Sequence, residues 1–93
     1  MSKYVVTGDY QLREIAGQVL LFPIKEKADE LQGTIVLNEI SAFVFQQFSD
    51  PKEIEEIVSA IDEIYDTKDI DVRSLIVPLV QQFEEYKVVR EEV

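Results

Sequence analysis

The spacing of apolar residues in this 93-residue chain changes at Asn38. Before that residue, short apolar runs separated by turn signals predict three strands, at residues 10–16, 19–24 and 34–37. After it, apolar residues recur at helical spacing and predict three helices, of which the first covers residues 39–48. A chain that places its strands first and its helices second is typical of an α+β domain.

Polar residues mark where each helix should begin. The candidate caps are Asn38 for the first helix, Asp50 for the second, and Asp69 or Asp71 for the third. The apolar stripe of the second helix runs over residues 54–65, and that of the third over residues 72–86. The third stripe is wider than one contact surface requires, so periodicity alone fits a core position, a dimer contact or a groove.

The composition excludes most familiar active sites. The chain contains no Cys and no His, which removes disulfide scaffolds, thiol nucleophiles and histidine acid–base catalysis. We find no nucleophile constellation, metal set or phosphate loop, and therefore expect no catalytic residues, no metal and no cofactor. The acidic residues Asp66, Asp69 and Asp71 invite comparison with a calcium loop, but the twelfth position is Val77 rather than Glu.

Charge and hydropathy also limit the partners. The formal charge of −10 repels nucleic acid and anionic lipid, and no apolar run approaches the ~20 residues of a membrane span. We therefore expect a cytoplasmic protein that binds neither nucleic acid nor membrane. The whole chain, residues 1–93, is predicted to be one domain with its core at 10–89, a charged loop at 25–32 and a frayed tail at 90–93.

Three segments stand together by their order and spacing. They are Leu12–Gly17 with Val19–Pro23, then Gly33–Phe43, then Leu79, Val80, Phe83 and Lys87–Val89. In this order and spacing they resemble the PqqD-like family of small peptide-binding domains, which recognise ribosomally made, modified peptides. The resemblance covers residues 10–89.

This resemblance implies a winged helix-turn-helix-like domain with a three-stranded antiparallel sheet followed by three helices. In that family, the leader of a precursor peptide adds as a strand beside the third strand, and its apolar side chains enter the groove next to the third helix. The domain does no chemistry itself. It presents the precursor to a modifying enzyme, which in the best-known pathways is a radical S-adenosylmethionine enzyme.

Transferred to this chain, the resemblance implies a peptide-binding site made of one strand and one helix flank. The residues are Thr34, Ile35, Val36 and Leu37 on the strand, and Arg73, Ile76, Val77, Val80 and Glu84 on the helix. The strand carries no Lys, Pro or charge, so an edge position would leave it open to strand addition.

Three positions depart from the family pattern. Family members often have Gly where Lys87 stands and an acidic residue where Leu75 stands, and Pro78 is unusual in the third helix. We therefore expect the third helix to end differently at Lys87, a polar contact to be lost at Leu75, and the groove to be reshaped at Pro78.

Two other functions compete with the adaptor. A winged-helix DNA-binding regulator would need a basic recognition helix, whereas the third helical region contains only two basic residues, Arg73 and Lys87. A structural or dimerisation subunit would use the same strand and helix to pair with a second copy, so both a monomer and a homodimer stay open.

Overall fold

The computed structural model describes residues 2–24 and 33–92. The predicted loop at residues 25–32 lies outside these ranges. The strands are β1 (Lys3–Val6), β2 (Tyr10–Ile15), β3 (Gln18–Pro23), β4 (Ile35–Leu37), β5 (Lys52–Glu53) and β6 (Val89–Glu92). The helices are α1 (Glu39–Gln47), α2 (Ile54–Ile64) and α3 (Val72–Glu85). The predicted α+β class is confirmed, whereas the likeness to winged helix-turn-helix domains stays a prediction.

The predicted sheet forms from β2, β3 and β4, in that order and antiparallel throughout. Ala16 and Gly17 make the two-residue turn between β2 and β3, with φ of 53° and 80°. Both values lie in the left-handed region, as a type I′ hairpin requires. Residues paired across the strands share a face, which places Leu21 and Leu37 on the buried side and Leu20 and Val36 on the outer side. The nearly continuous apolar run over residues 19–24 is typical of a strand covered on both faces, but Leu20 is only half-buried.

A second antiparallel sheet, in the order β5–β1–β6, was not predicted. The predicted frayed tail is wrong for residues 90–92, because Val89–Glu92 pairs with β1 from Val6↔Val89 to Lys3↔Glu92. The local sequence of this segment is too acidic to resemble a strand. Its pairing depends on β1, which lies at the other end of the chain.

The helices begin at polar residues, although not always at the predicted ones. The Asn38 side chain accepts a hydrogen bond from the Ser41 backbone at 2.8 Å and caps α1, and Asp71 accepts one from the Ser74 backbone at 3.3 Å and caps α3. The predicted cap Asp50 is wrong, because α2 starts at Ile54 with Glu53 as its cap. The preceding residues pair with β1 as β5 and so cannot join the helix.

The core is one cluster of side chains from the β2–β3–β4 sheet, the three helices and, through Val89, the second sheet. Each layer contributes fully or nearly fully buried apolar side chains, among them Leu21, Val44, Phe48, Ile57, Ile76, Val80 and Phe83. Helices α2 and α3 pack directly against each other. One face of α3 is therefore committed to the core, and only its remaining flanks can bind a partner.

Candidate functional site

Strand β4 lies at an edge of its sheet. It pairs with β3 on one side, through Val19↔Leu37, Leu20↔Val36 and Leu21↔Ile35. Within residues 2–24 and 33–92, no strand pairs with its other side. An edge strand without charge or proline presents backbone N–H and C=O groups that another extended chain can pair with.

The side chains of β4 alternate between the two faces of the sheet. Leu37 is buried in the core, Ile35 is half-buried on the same face, and Val36 is 63% exposed on the outer face. Thr34, which we predicted as part of the strand, is exposed and precedes it. The edge therefore has a firmly packed inner side and an accessible outer side.

A cleft of about 460 Å³ lies between the start of α1 and one flank of α3, beginning at Asn38, the residue that follows β4. We call it the α1–α3 cleft. Residues Asn38, Ile40 and Ser41 form one wall, and Leu75, Pro78, Leu79 and Gln82 form the other. The walls are mostly apolar, and Leu75 is 57% exposed. The end of β4 thus leads into a cleft that can hold apolar side chains.

The helix residues predicted for the site do not line this cleft. Ile76 and Val80 are 0% and 1% exposed, so they belong to the core rather than to the walls of the α1–α3 cleft. Periodicity identifies an apolar stripe on α3, but not which part of it the other helices cover. The structure shows that α2 and the rest of the core cover the centre of the stripe.

The other three predicted helix residues lie away from the cleft. Arg73 forms an ion pair with Glu55 of α2, and Val77 is half-buried beside a shallow cavity on the opposite flank from Leu79. Glu84 is exposed, and its negative charge contributes, after burial, to raising the pKa of Tyr4 in β1. This flank of α3 therefore faces the second sheet and α2 rather than β4.

Two of the cleft residues that the prediction missed could have been found from the sequence, because they depart from the family pattern. Leu75 and Pro78, the two departures from the family pattern within the third helix, both line the α1–α3 cleft. Helix α3 continues through Pro78 from Val72 to Glu85. Because proline has no N–H, the Ser74 carbonyl lacks its usual helical donor at this point.

Hydrogen bonds shift the pKa of two groups near the helix ends. The Tyr65 hydroxyl donates to Glu39 at 3.0 Å, and this bond is the main reason that the pKa of Tyr65 is raised. Hydrogen bonds from the Ser74 side chain and backbone lower the pKa of Asp71. In the part of the chain that the structure describes, no three His, Cys, Asp or Glu side chains group closely enough to hold a metal ion.

The fold and the cleft together define an α+β domain with an accessible strand edge beside an apolar cleft. The family described as Coenzyme PQQ synthesis protein D (PqqD) matches residues 17–89. The chain belongs to this family, which confirms the resemblance. Family membership supports, at the level of the family, an accessory protein that binds a precursor peptide and is not itself an enzyme.

Two further observations complete the comparison. Searches among curated proteins and among solved structures found no match. No helix within the described residues is long and apolar enough to span a bilayer.

Proposed function

We propose that this single domain is a non-catalytic adaptor that binds the leader of a ribosomally synthesised precursor peptide by strand addition at β4. It then presents the peptide to a modifying enzyme of the radical S-adenosylmethionine type in the cytoplasm. The observation that carries this proposal is the edge position of β4, with Asn38 leading from the end of the strand into the α1–α3 cleft. Family membership supports the same role.

In this proposal, the backbone and the side chains of the leader do different work. Backbone groups of the leader pair with the free side of residues 35–37, and this pairing does not depend on the sequence of the leader. Alternate side chains of an extended chain point the same way, so every second residue can face the cleft. Leu79, Ile40 and Leu75 are the apolar groups that would receive them.

The energy of binding must come from a few anchors. Ordering the leader costs about 1–2 kcal/mol per residue in backbone entropy. Full burial of one Leu, Ile or Phe side chain returns roughly 1.5–3 kcal/mol. Two or three anchors in the cleft therefore offset the ordering of several residues, and sequence preference resides in those anchors.

The charge of the adaptor would favour basic leaders. With a net charge of −10, it attracts peptides that carry Lys or Arg and accelerates their encounter. Because exposed charges are screened by salt, this contribution declines as ionic strength rises.

The experiment compares two substitutions on α3. Leu79 and Val77 are both apolar, both half-buried and two residues apart, but only Leu79 lines the cleft. When a precursor peptide gene is identified beside this one, its leader serves as the ligand. We expect Leu79→Glu to weaken binding of that leader by about 10- to 100-fold, the equivalent of one lost anchor. Val77→Glu should bind nearly as the unmodified protein does.

Nuclear magnetic resonance tests the strand addition itself. Titration with the leader should shift the amide signals of residues 35–37, and circular dichroism of both variants checks that they are folded. Unchanged amide signals at saturating leader would exclude strand addition at β4. Light scattering with and without leader separates peptide binding from pairing of β4 with a second copy.

A further inference from the structure

A second, smaller cavity opens at the far end of the α1–α3 cleft. Its volume is about 240 Å³, well above the roughly 10–15 Å³ that one water molecule needs. It lies among α1, the end of α2 and the start of α3, and we call it the α2–α3 pocket. Its apolar lining comes from Ile40, Ile61, Ile70, Val72, Leu75 and Ile76.

The α2–α3 pocket borders the α1–α3 cleft. Ile40 and Leu75 line both of them. At the rim, Leu75 and Ile70 are 57% and 51% exposed, which leaves two large apolar side chains in contact with water. A chain that occupies the cleft would therefore reach the pocket without leaving the surface.

The rim of the pocket is acidic. Asp66 lines it, and so does Tyr65, whose hydroxyl is hydrogen-bonded to Glu39. Over residues 62–71 the chain carries Asp62, Glu63, Asp66, Asp69 and Asp71, with Lys68 as the single cation. A ligand with an apolar group in the pocket and a positive charge beside it would match both the lining and the rim.

We propose that the α2–α3 pocket binds a second anchor of the same peptide, namely an aliphatic or aromatic side chain with Lys or Arg next to it. This inference rests on the proposed function. Leu79 and Leu75 are one helical turn apart, about 6 Å along α3. An extended chain covers that distance in about two residues, so the two anchors should occupy alternate positions of the peptide.

The test uses a matched pair of substitutions, Ile70→Lys and Ile64→Lys. Both residues are exposed, at 51% and 62%, and lie on neighbouring parts of the chain, but only Ile70 lines the pocket. The probe is a peptide selected on the unmodified protein from a displayed library of random twelve-residue sequences. Its affinity is measured by fluorescence anisotropy with each residue replaced by Ala in turn.

We expect one apolar residue of the probe, beside Lys or Arg, whose replacement weakens binding to the unmodified protein about 10- to 100-fold. When the protein carries Ile70→Lys, the same Ala replacement in the probe should change its affinity less than about 2-fold. When the protein carries Ile64→Lys, that replacement should retain its full effect. Equal behaviour of the two variants would overturn the pocket assignment.

The proposed function can fail separately. If Leu79→Glu abolishes binding but Ile70→Lys behaves as Ile64→Lys does, strand addition stands and the pocket assignment falls. If the unmodified protein selects no peptide, or selects peptides that leave residues 35–37 unperturbed, both proposals fall.

Discussion

The end of α3 has a backbone geometry that its sequence does not favour. Lys87 has a φ of 65°, in the left-handed region. Its N–H donates to the Glu84 carbonyl at 3.1 Å, and the Val88 N–H donates to the Phe83 carbonyl at 2.8 Å. This pair of bonds is the helix ending that usually has glycine at the position of Lys87. The expectation of a different helix ending is therefore wrong, because Lys87 itself adopts the left-handed conformation. Val88 and Val89 are buried immediately afterwards, so the turn also positions β6.

The energetic consequence can be worked out from this geometry. A residue with a Cβ atom loses roughly 1–2 kcal/mol in the left-handed region, a cost that glycine avoids. Against this, glycine is about 0.5–1 kcal/mol worse than alanine where both are unstrained, because it loses more backbone entropy on folding. The mid-range values of these two effects differ by about 0.75 kcal/mol, so we expect Lys87→Gly to be more stable than Lys87→Ala by about 0.5–1 kcal/mol. Comparing these two variants cancels the loss of the lysine charge.

Urea denaturation and thermal denaturation, both followed by circular dichroism, measure this difference. For a domain of this size, about 0.5–1 kcal/mol corresponds to a difference in Tm of about 2–8 °C. Lys68 is the control, because it is also exposed and lies in a turn but has no positive φ. There the order should reverse, with Ala at least as stable as Gly. If Lys87→Ala equals or exceeds Lys87→Gly in stability, the helix ending described here is wrong.

Three further predictions concern the core, a cap and pH. Ile76→Ala should destabilise the protein by about 2–5 kcal/mol because Ile76 is buried, whereas Leu75→Ala should cost less than about 1 kcal/mol. Equal losses of stability in urea denaturation would contradict the assignment of Ile76 to the core and Leu75 to the cleft. Asn38→Ala should cost about 1 kcal/mol by the same assay, since it removes the α1 cap, and no loss would show that the cap is dispensable. Because the hydrogen bond to Glu39 raises the pKa of Tyr65, its stabilisation is present below about pH 10 and lost as pH rises through the raised value. Tyr65→Phe should flatten that alkaline decline in thermal denaturation, and an unchanged decline would exclude Tyr65 as its source.

The departures from the family pattern acquire a physical meaning in the structure. Leu75 and Pro78 line the α1–α3 cleft, and Leu75 also lines the α2–α3 pocket. Replacing an acidic side chain by Leu75 makes this wall apolar. In the proposed function, Leu75 therefore recognises the leader peptide by burying an apolar anchor rather than by making a polar contact.

Local sequence patterns were sufficient to predict the three strands of the β2–β3–β4 sheet and the three helices, apart from the start of α2. Short apolar runs separated by a turn signal predicted β2 and β3, and the change of apolar spacing at Asn38 predicted both the end of β4 and the start of α1. These features depend on residues close together in the chain, because strand alternation, turn geometry and helix capping are local. The absence of charge on β4 was likewise visible in the sequence, although its edge position was implied only by the family resemblance.

The second sheet and the helix half of the candidate site depended on tertiary structure. The acidic segment Val89–Glu92 becomes a strand because β1 pairs with it, and β5 shortens α2 for the same reason. Likewise, the stripe on α3 contains Ile76 and Leu75 side by side, yet packing buries the first and leaves the second in the cleft. Periodicity shows that a helix has an apolar face, but only the neighbours that cover part of that face determine where a partner can bind.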